Sequence, residues 1–338
     1  MSFNLYAIGV GGAGCNMITR LTLRKGTDNS IKTIALNTDA RHLQMVKADK
    51  KVLLKTGSLY GHGAGGKAEV GEMAMQQSID RVMPNIQDPH IVFIAAGMGG
   101  GTGTGGAPVL AKYIKSQYPD AIVIGVVTYP FQIERSRLKV ARKGIYKMLE
   151  HVDTLILIDN NKLLEYNPNL PLNEAFALAD DVMIRAIKGI ADTLSRSSLI
   201  NIDYADLKAL MSKGGLAMIS LGEGHGPERV YKAIETTLNH PLVEVDYEGA
   251  KGALVHLESD DSLTVDEAMK IAGELTKGIS EEGEVKLGLR INPEMHERIN
   301  VTLITVGVKS PQLLGHETLE QHLREIGDKD MLDMLESV

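Results

Sequence analysis

The chain has 338 residues, too many for one ordinary small domain and suited to two. Its 43% apolar and 23% charged residues are those of a globular protein, and a net charge of −7 with no long basic block argues against nucleic acid, where phosphate neutralisation supplies affinity. Cys15 is the single cysteine, which excludes an intramolecular disulfide and a Cys-based zinc site. No apolar run approaches the ~20 residues of a membrane helix, and the chain enters a strand-like run at once. The expectation is a cytoplasmic protein without membrane insertion.

Phe3–Ile8 reads as a strand that ends in Gly9-Val10-Gly11-Gly12-Ala13-Gly14, followed by helical register over Asn16–Arg24. Taken alone, GxGxxG after a strand is the dinucleotide fingerprint. The next strand, Thr33–Leu36, leads to Asn37-Thr38-Asp39, where a ribose-binding acid would sit. An NAD(P)-dependent Rossmann oxidoreductase is therefore one reading. A second glycine loop, Gly61-His62-Gly63-Ala64-Gly65-Gly66, precedes a helix from about Lys67 to Met83.

His90–Ala96 then reads as a fully buried strand, and Gly97–Gly106 places seven glycines and two threonines in ten positions. Ala107 and Pro108 open an amphipathic helix with Val109, Leu110, Tyr113 and Ile114 on one face. Strand, glycine loop and helix N-terminus make an anion site, because glycines admit close approach to backbone amides and the helix end adds unpaired N–H groups and positive dipole. The hydroxyls of Thr102 and Thr104 add donors. A Rossmann half needs one phosphate loop; several on one sheet edge suit a chain of phosphates with a metal. No GxxxxGK[ST] lysine is present, so Mg²⁺ and helix ends must balance the charge.

Strands follow at Ala121–Val127 and Thr154–Ile158, and their alternation with helices predicts a parallel sheet covered on both faces. Asn173–Arg196 is a long helix with Phe176, Ala179, Met183, Ala186, Ile187, Ile190 and Leu194 near a 3.6 period. In Asn201-Ile202-Asp203-Tyr204-Ala205-Asp206-Leu207, Asp203 suits a helix cap with Asp206 in the first turn. From Leu216 onward, strands at Ala217–Leu221, Ala253–Leu257 and Val301–Val308 and helices at Pro227–Leu238 and Thr264–Lys277 make a smaller α+β domain.

GGGTGTGG at Gly99–Gly106 resembles the signature loop of the tubulin superfamily, which includes FtsZ and CetZ. The resemblance covers about residues 3–310 and includes the NxDxxD stretch from 201 to 206. It implies the tubulin/FtsZ fold: an α/β, Rossmann-like GTPase domain with a parallel sheet (1–172), a central helix (173–200), then a smaller α+β domain (201–310) and an acidic helical tail (311–338). It also implies a GTPase that polymerises head to tail, with GTP/GDP and Mg²⁺ as cofactors. By resemblance Gly11, Gly12, Ala13, Cys15 and Asn16 belong to the first nucleotide loop and Asp39 to the second, with Asp39 towards the metal's water. Ala64 and Gly65 belong to the third, and Gly99, Gly100, Gly101, Thr102 and Gly103 to the phosphate loop. Glu134 falls on the ribose, Arg137 near the sugar or phosphates, and Asn160, Phe176 and Asp180 at the base. A carboxylate accepts two hydrogen bonds from N1–H and the 2-amino group of guanine, donors that adenine does not pair in this way. Asp203 and Asp206 are the acids that this family inserts into the next subunit's pocket, where they orient the attacking water.

Cys15 stands where the family places a small residue, and tight packing rather than reactivity is expected of it. The tail departs from the bacterial FtsZ pattern: Glu317–Glu336 carries seven acids against two bases, and Leu319, Leu323 and Ile326 share one side. That composition disfavours an anionic membrane and suits a lid or a protein partner. The tail puts a division-ring role in doubt and, with the immediate N-terminal start and the Gly61-His62-Gly63 loop, favours the archaeal CetZ-like branch. Besides the oxidoreductase, a module that assembles on nucleotide without hydrolysing it is the other alternative.

Overall fold

The computed structural model describes residues 3–25, 30–57, 61–162, 169, 171–195, 200, 202–239 and 247–308. Arg196, Asn201 and the 311–338 tail lie outside the described residues. The chain runs β1 (Leu5–Val10), α1 (Gly11–Lys25), β2 (Ile31–Asn37), α2 (Ala40–Met45), β3 (Lys50–Leu53), α3 (Ala68–Gln76), α4 (Ile79–Val82), β4 (Ile91–Gly97), α5 (Thr102–Gln117), β5 (Ile122–Tyr129), α6 (Arg135–Leu149) and β6 (Thr154–Asp159). It continues with α7 (Leu172–Ser195), α8 (Tyr204–Met211), β7 (Leu216–His225), α9 (Arg229–Leu238), β8 (Ala250–Ser259), α10 (Val265–Leu275), β9 (Ile279–Ile291) and β10 (Arg298–Val308).

The strands lie in the order β3-β2-β1-β4-β5-β6-β7-β10-β8-β9. The first six pair in parallel, with β1 central between β2 and β4. β1 and β4 are apolar at nearly every position because both faces are covered. One core lies under α1 and α7, where Ile18 and Leu21 meet Ile124, Ile156, Met183 and Ile187. The opposite core lies under α3, α5 and α6, with Met75, Leu110, Ile114, Ile145 and Met148.

β7 joins β6 through only two residue pairs, Leu155 with Leu216 and Ile156 with Ala217. Beyond it the sheet turns mixed: β10 runs antiparallel to β7 and β8, and β8 is parallel to β9. α7 spans the junction, since its Ile187 and Ile190 share a core with Ile304 and Val306 of β10. Thr264 and Glu267 form a capping box at the start of α10.

The helix expected to open at Ala107 begins five residues earlier, at Thr102, and holds Pro108 inside it. The reason is packing against α3. A Cβ at Gly105 would overlap the Ala68 carbonyl oxygen, and one at Gly71 the Gly101 carbonyl. So Gly105 and Gly71 serve helix–helix approach. Gly105→Ala is expected to lower stability by at least about 1–3 kcal/mol, read by urea unfolding, because backbone must move to admit the methyl. The helix expected over Lys67–Met83 is broken into α3 and α4 at Ser78, whose buried hydroxyl accepts from the Lys55 N–H at 2.8 Å.

Candidate functional site

The loops singled out in the sequence gather at the carboxyl ends of β1, β2, β4, β5 and β6, where an open parallel sheet holds its ligands. α1 starts at Gly11 directly after β1, and α5 starts at Thr102 after the short Met98–Gly101 loop that follows the adjacent β4, so two sets of unpaired N–H groups point towards one place. Gly11, with φ +75°, allows this: a Cβ there would sit 2.8 Å from the Gly103 nitrogen. Gly12, Ala13 and Asn16 are exposed, whereas Cys15 faces inward and is fully buried. The Cys15 thiol lies against the carbonyls of Gly9 and Leu36, and burial pushes its pKa up to about 12. Its side chain therefore does not face the pocket.

The Gly97–Gly106 loop is braced on both sides. A Cβ at Gly101 would lie 2.8 Å from that of Ala64, and Gly99, at φ +90°, faces the Arg137 backbone. Arg137 pairs with Glu134 and donates to the Gly99 carbonyl at 3.2 Å, which sets this expected pair over the loop. Thr104 departs from expectation: it is buried, and its hydroxyl accepts from the Gly99 N–H at 2.9 Å. It shapes the loop from inside. Thr102 instead meets Thr38, with their oxygens 2.6 Å apart.

The second and third loops close on each other. Gly63 N–H donates to the Thr38 carbonyl and Ala40 N–H to that of Gly61, both at 3.1 Å. Asp39 caps α2 by accepting from the His42 N–H at 3.0 Å. Gly61, Gly63, Gly65 and Gly66 all have positive φ, so this loop's composition answers a backbone demand.

Towards α7, the rings of Phe131 and Phe176 are tilted at 5.8 Å, with Phe176 still 38% exposed. Asn160 is buried, and its side-chain oxygen has no hydrogen-bond partner among the described residues. Asp180 is paired with Arg20, which also donates to the Phe176 carbonyl at 3.2 Å. Burial pushes the Asp180 carboxyl up to about 6 against the opposing pull of the guanidinium. Arg20 was missed in the sequence, although it lies four residues after Asn16 on the same face of α1. His42 was missed as well; its ring bridges Asn37 at 3.1 Å and Asn16 at 2.9 Å.

Asp203 and Asp206 stand elsewhere. Asp203 caps α8 by accepting from the Asp206 N–H at 2.7 Å. The Tyr204 hydroxyl reaches the carbonyls of His90 (3.0 Å) and Asp120 (2.8 Å), which precede β4 and β5. α8 thus begins at the amino edge of the sheet, and strands of this length separate the two edges by about 20 Å. Within one chain these acids and the glycine loops do not meet.

Two family models match: "Tubulin/FtsZ family, GTPase domain" over residues 4–168 and "FtsZ family, C-terminal domain" over 215–309. Cell division protein FtsZ 2 of Methanocaldococcus jannaschii is 48% identical over 93% of this chain and 82% of its own length. That of Haloferax volcanii is 41% identical over 93% and 78%. Among solved structures, an M. jannaschii FtsZ dimer matches with TM-score 0.82 and 41% identity over 91% of this chain and 89% of that one. CetZ1 of Haloferax volcanii matches with TM-score 0.78 but 21% identity over 92% and 96%, a likeness of fold alone. The expected CetZ-like branch is therefore corrected to archaeal FtsZ. The Gly61-His62-Gly63 likeness misled because its glycines meet a local φ requirement, which carries no branch information. These matches also set aside the oxidoreductase reading of Gly9–Gly14. The chain belongs to the tubulin/FtsZ family, as a GTPase of the FtsZ kind.

Proposed function

We propose that this chain is a cytoplasmic cell-division protein that binds GTP with Mg²⁺, assembles head to tail, and hydrolyses GTP only where two copies meet. The observation that carries this reading is the placement of Asp203 and Asp206 at the edge of the sheet opposite the phosphate loops. A heterologous contact that stacks amino edge on carboxyl edge completes the site and, because it does not close, continues as a filament. Gly11, Gly12, Ala13, Gly99, Gly100, Gly101, Thr102 and Gly103 then hold phosphates through amides and one hydroxyl. Ala64 and Gly65 follow the γ-phosphate. Glu134 and Arg137 take the ribose side, Phe176 packs on the base, and Asn160 and Asp180 read the guanine edge. The buried Asn160 oxygen, which has no partner among the described residues, is an acceptor suited to one of guanine's N–H donors.

Asp39 and the Thr38–Thr102 hydroxyl pair offer hard oxygen donors beside the phosphate loop, which suits Mg²⁺ held largely by phosphate and water. Bound there, the ion would offset phosphate charge. Residues 1–172, 173–200 and 201–310 are the nucleotide domain, central helix and C-terminal domain of this proposal, with the 311–338 tail left for a protein partner. GTP turnover per subunit, measured against protein concentration beside right-angle light scattering, tests it. Activity should appear above a threshold concentration together with scattering. Constant specific activity at all concentrations would mean a site complete in one chain and would overturn the reading.

A further inference from the structure

Resting on that reading, we propose that Lys286 is a positioning residue for Asp206: it fixes the carboxylate that one subunit offers to the next. The Lys286 ammonium donates to Asp206 Oδ1 at 2.6 Å and lies 2.8 Å from Glu284 Oε1. Glu284 in turn pairs with Lys213 at 3.4 Å. Asp206 sits in the first turn of α8 and Lys213 two residues past its end, while Glu284 and Lys286 are two apart on β9 and so share one face of that strand. The four charges therefore clamp α8 along its length to the C-terminal sheet. Asp206 and Lys286 side chains are 36% and 26% exposed, open enough to face a neighbour.

Two physical consequences follow. An unpaired Asp on a helix surface samples several rotamers, whereas this one is held in one direction by a charge-assisted hydrogen bond. Orientation of a water-positioning carboxylate is where small misplacements cost most. The ammonium also offsets the repulsion that two carboxylates would meet on approaching a triphosphate, and it holds the Asp206 carboxyl below the ordinary range, with the hydrogen bond as the main cause.

The test compares Lys286→Met, Lys286→Arg and Asp206→Ala by GTP turnover across pH, at protein concentrations well above the assembly threshold, with GTP binding and scattering recorded alongside. Lys286→Met should keep binding and scattering but lose about 10- to 100-fold in turnover. The acid limb of its pH profile should move to higher pH, because removing the ammonium lets the carboxyl protonate more readily. Lys286→Arg should restore most of the rate. Should the Met variant fail to fold, Lys286→Gln gives the same readout. Unchanged turnover and an unmoved acid limb, with Asp206→Ala inactive, overturn this inference alone. Loss of scattering with turnover overturns it too, by making Lys286 an assembly contact. Full activity in Asp206→Ala would overturn the acid-in-trans reading beneath it.

Discussion

Asp206→Ala is expected to cut GTP turnover per subunit by about 10²- to 10⁴-fold, the range typical of losing a group that orients or deprotonates the nucleophile. GTP affinity should be unchanged, because Asp206 lies at the amino edge of its own sheet, with Lys286 and the α8 cap as its partners. Assembly should persist and outlast that of the unaltered protein, since the γ-phosphate stays in place. The sharper form of the experiment mixes two weak variants. Asp206→Ala keeps an intact pocket but offers no full acid pair; Asp180→Ala keeps the acid pair but binds guanine poorly. Mixed, they should recover part of the lost turnover at junctions that join one good pocket to one good acid pair. Absence of recovery, with both proteins folded and co-assembling, would mean that the acids act within their own chain.

The fold was legible in the sequence where burial leaves one reading. β1, β4, β5 and β6 are parallel strands covered on both faces, so their sequences are near-continuous apolar runs. β3 was missed because Lys50-Lys51-Val52-Leu53 is an edge strand in which only Val52 is buried. β9 was missed for the same reason at the other edge: Ser280, Glu281, Glu282, Glu284 and Lys286 give it the look of a loop, and its pairing with β8 is interrupted by a register shift.

The glycine loops were legible because glycine is a backbone requirement written directly in the sequence. Even so, the run at 97–106 mixes three duties: loop conformation at Gly99, contact with the first loop at Gly103, and helix packing at Gly105. Composition cannot separate them, and Pro108 suggested too late a helix start. The pairs that set charge were invisible for another reason. Arg20 meets Asp180 across 160 residues, and Lys286 meets Asp206 across 80. No spacing rule spans such separations; only the β-α order of the folded sheet brings them together.

The same Arg20–Asp180 pair makes the second large effect. Asp180→Ala is expected to weaken GTP binding by about 100-fold or more, since each hydrogen bond to a charged acceptor contributes about 1.5–3 kcal/mol and two are lost. ATP binding, already weak, should change little, so the variant loses discrimination rather than general phosphate affinity. pH gives an independent check. Burial raises the Asp180 carboxyl to about 6 in the folded protein, from an ordinary value near 4. Between those values the native state holds a proton that the unfolded chain does not, so this group's contribution to stability falls as pH rises through about 6. Guanine demands the opposite state, because only the carboxylate accepts from both N1–H and the 2-amino group. GTP affinity of the unaltered protein should therefore fall below about pH 6 while its stability from this group rises, and both trends should vanish in Asp180→Ala. Isothermal titration with GTP at pH 5.5 and 7.5, on both proteins, separates the outcomes. If Asp180→Ala bound GTP with unchanged affinity, Asp180 would not read the base and would serve only to hold Arg20.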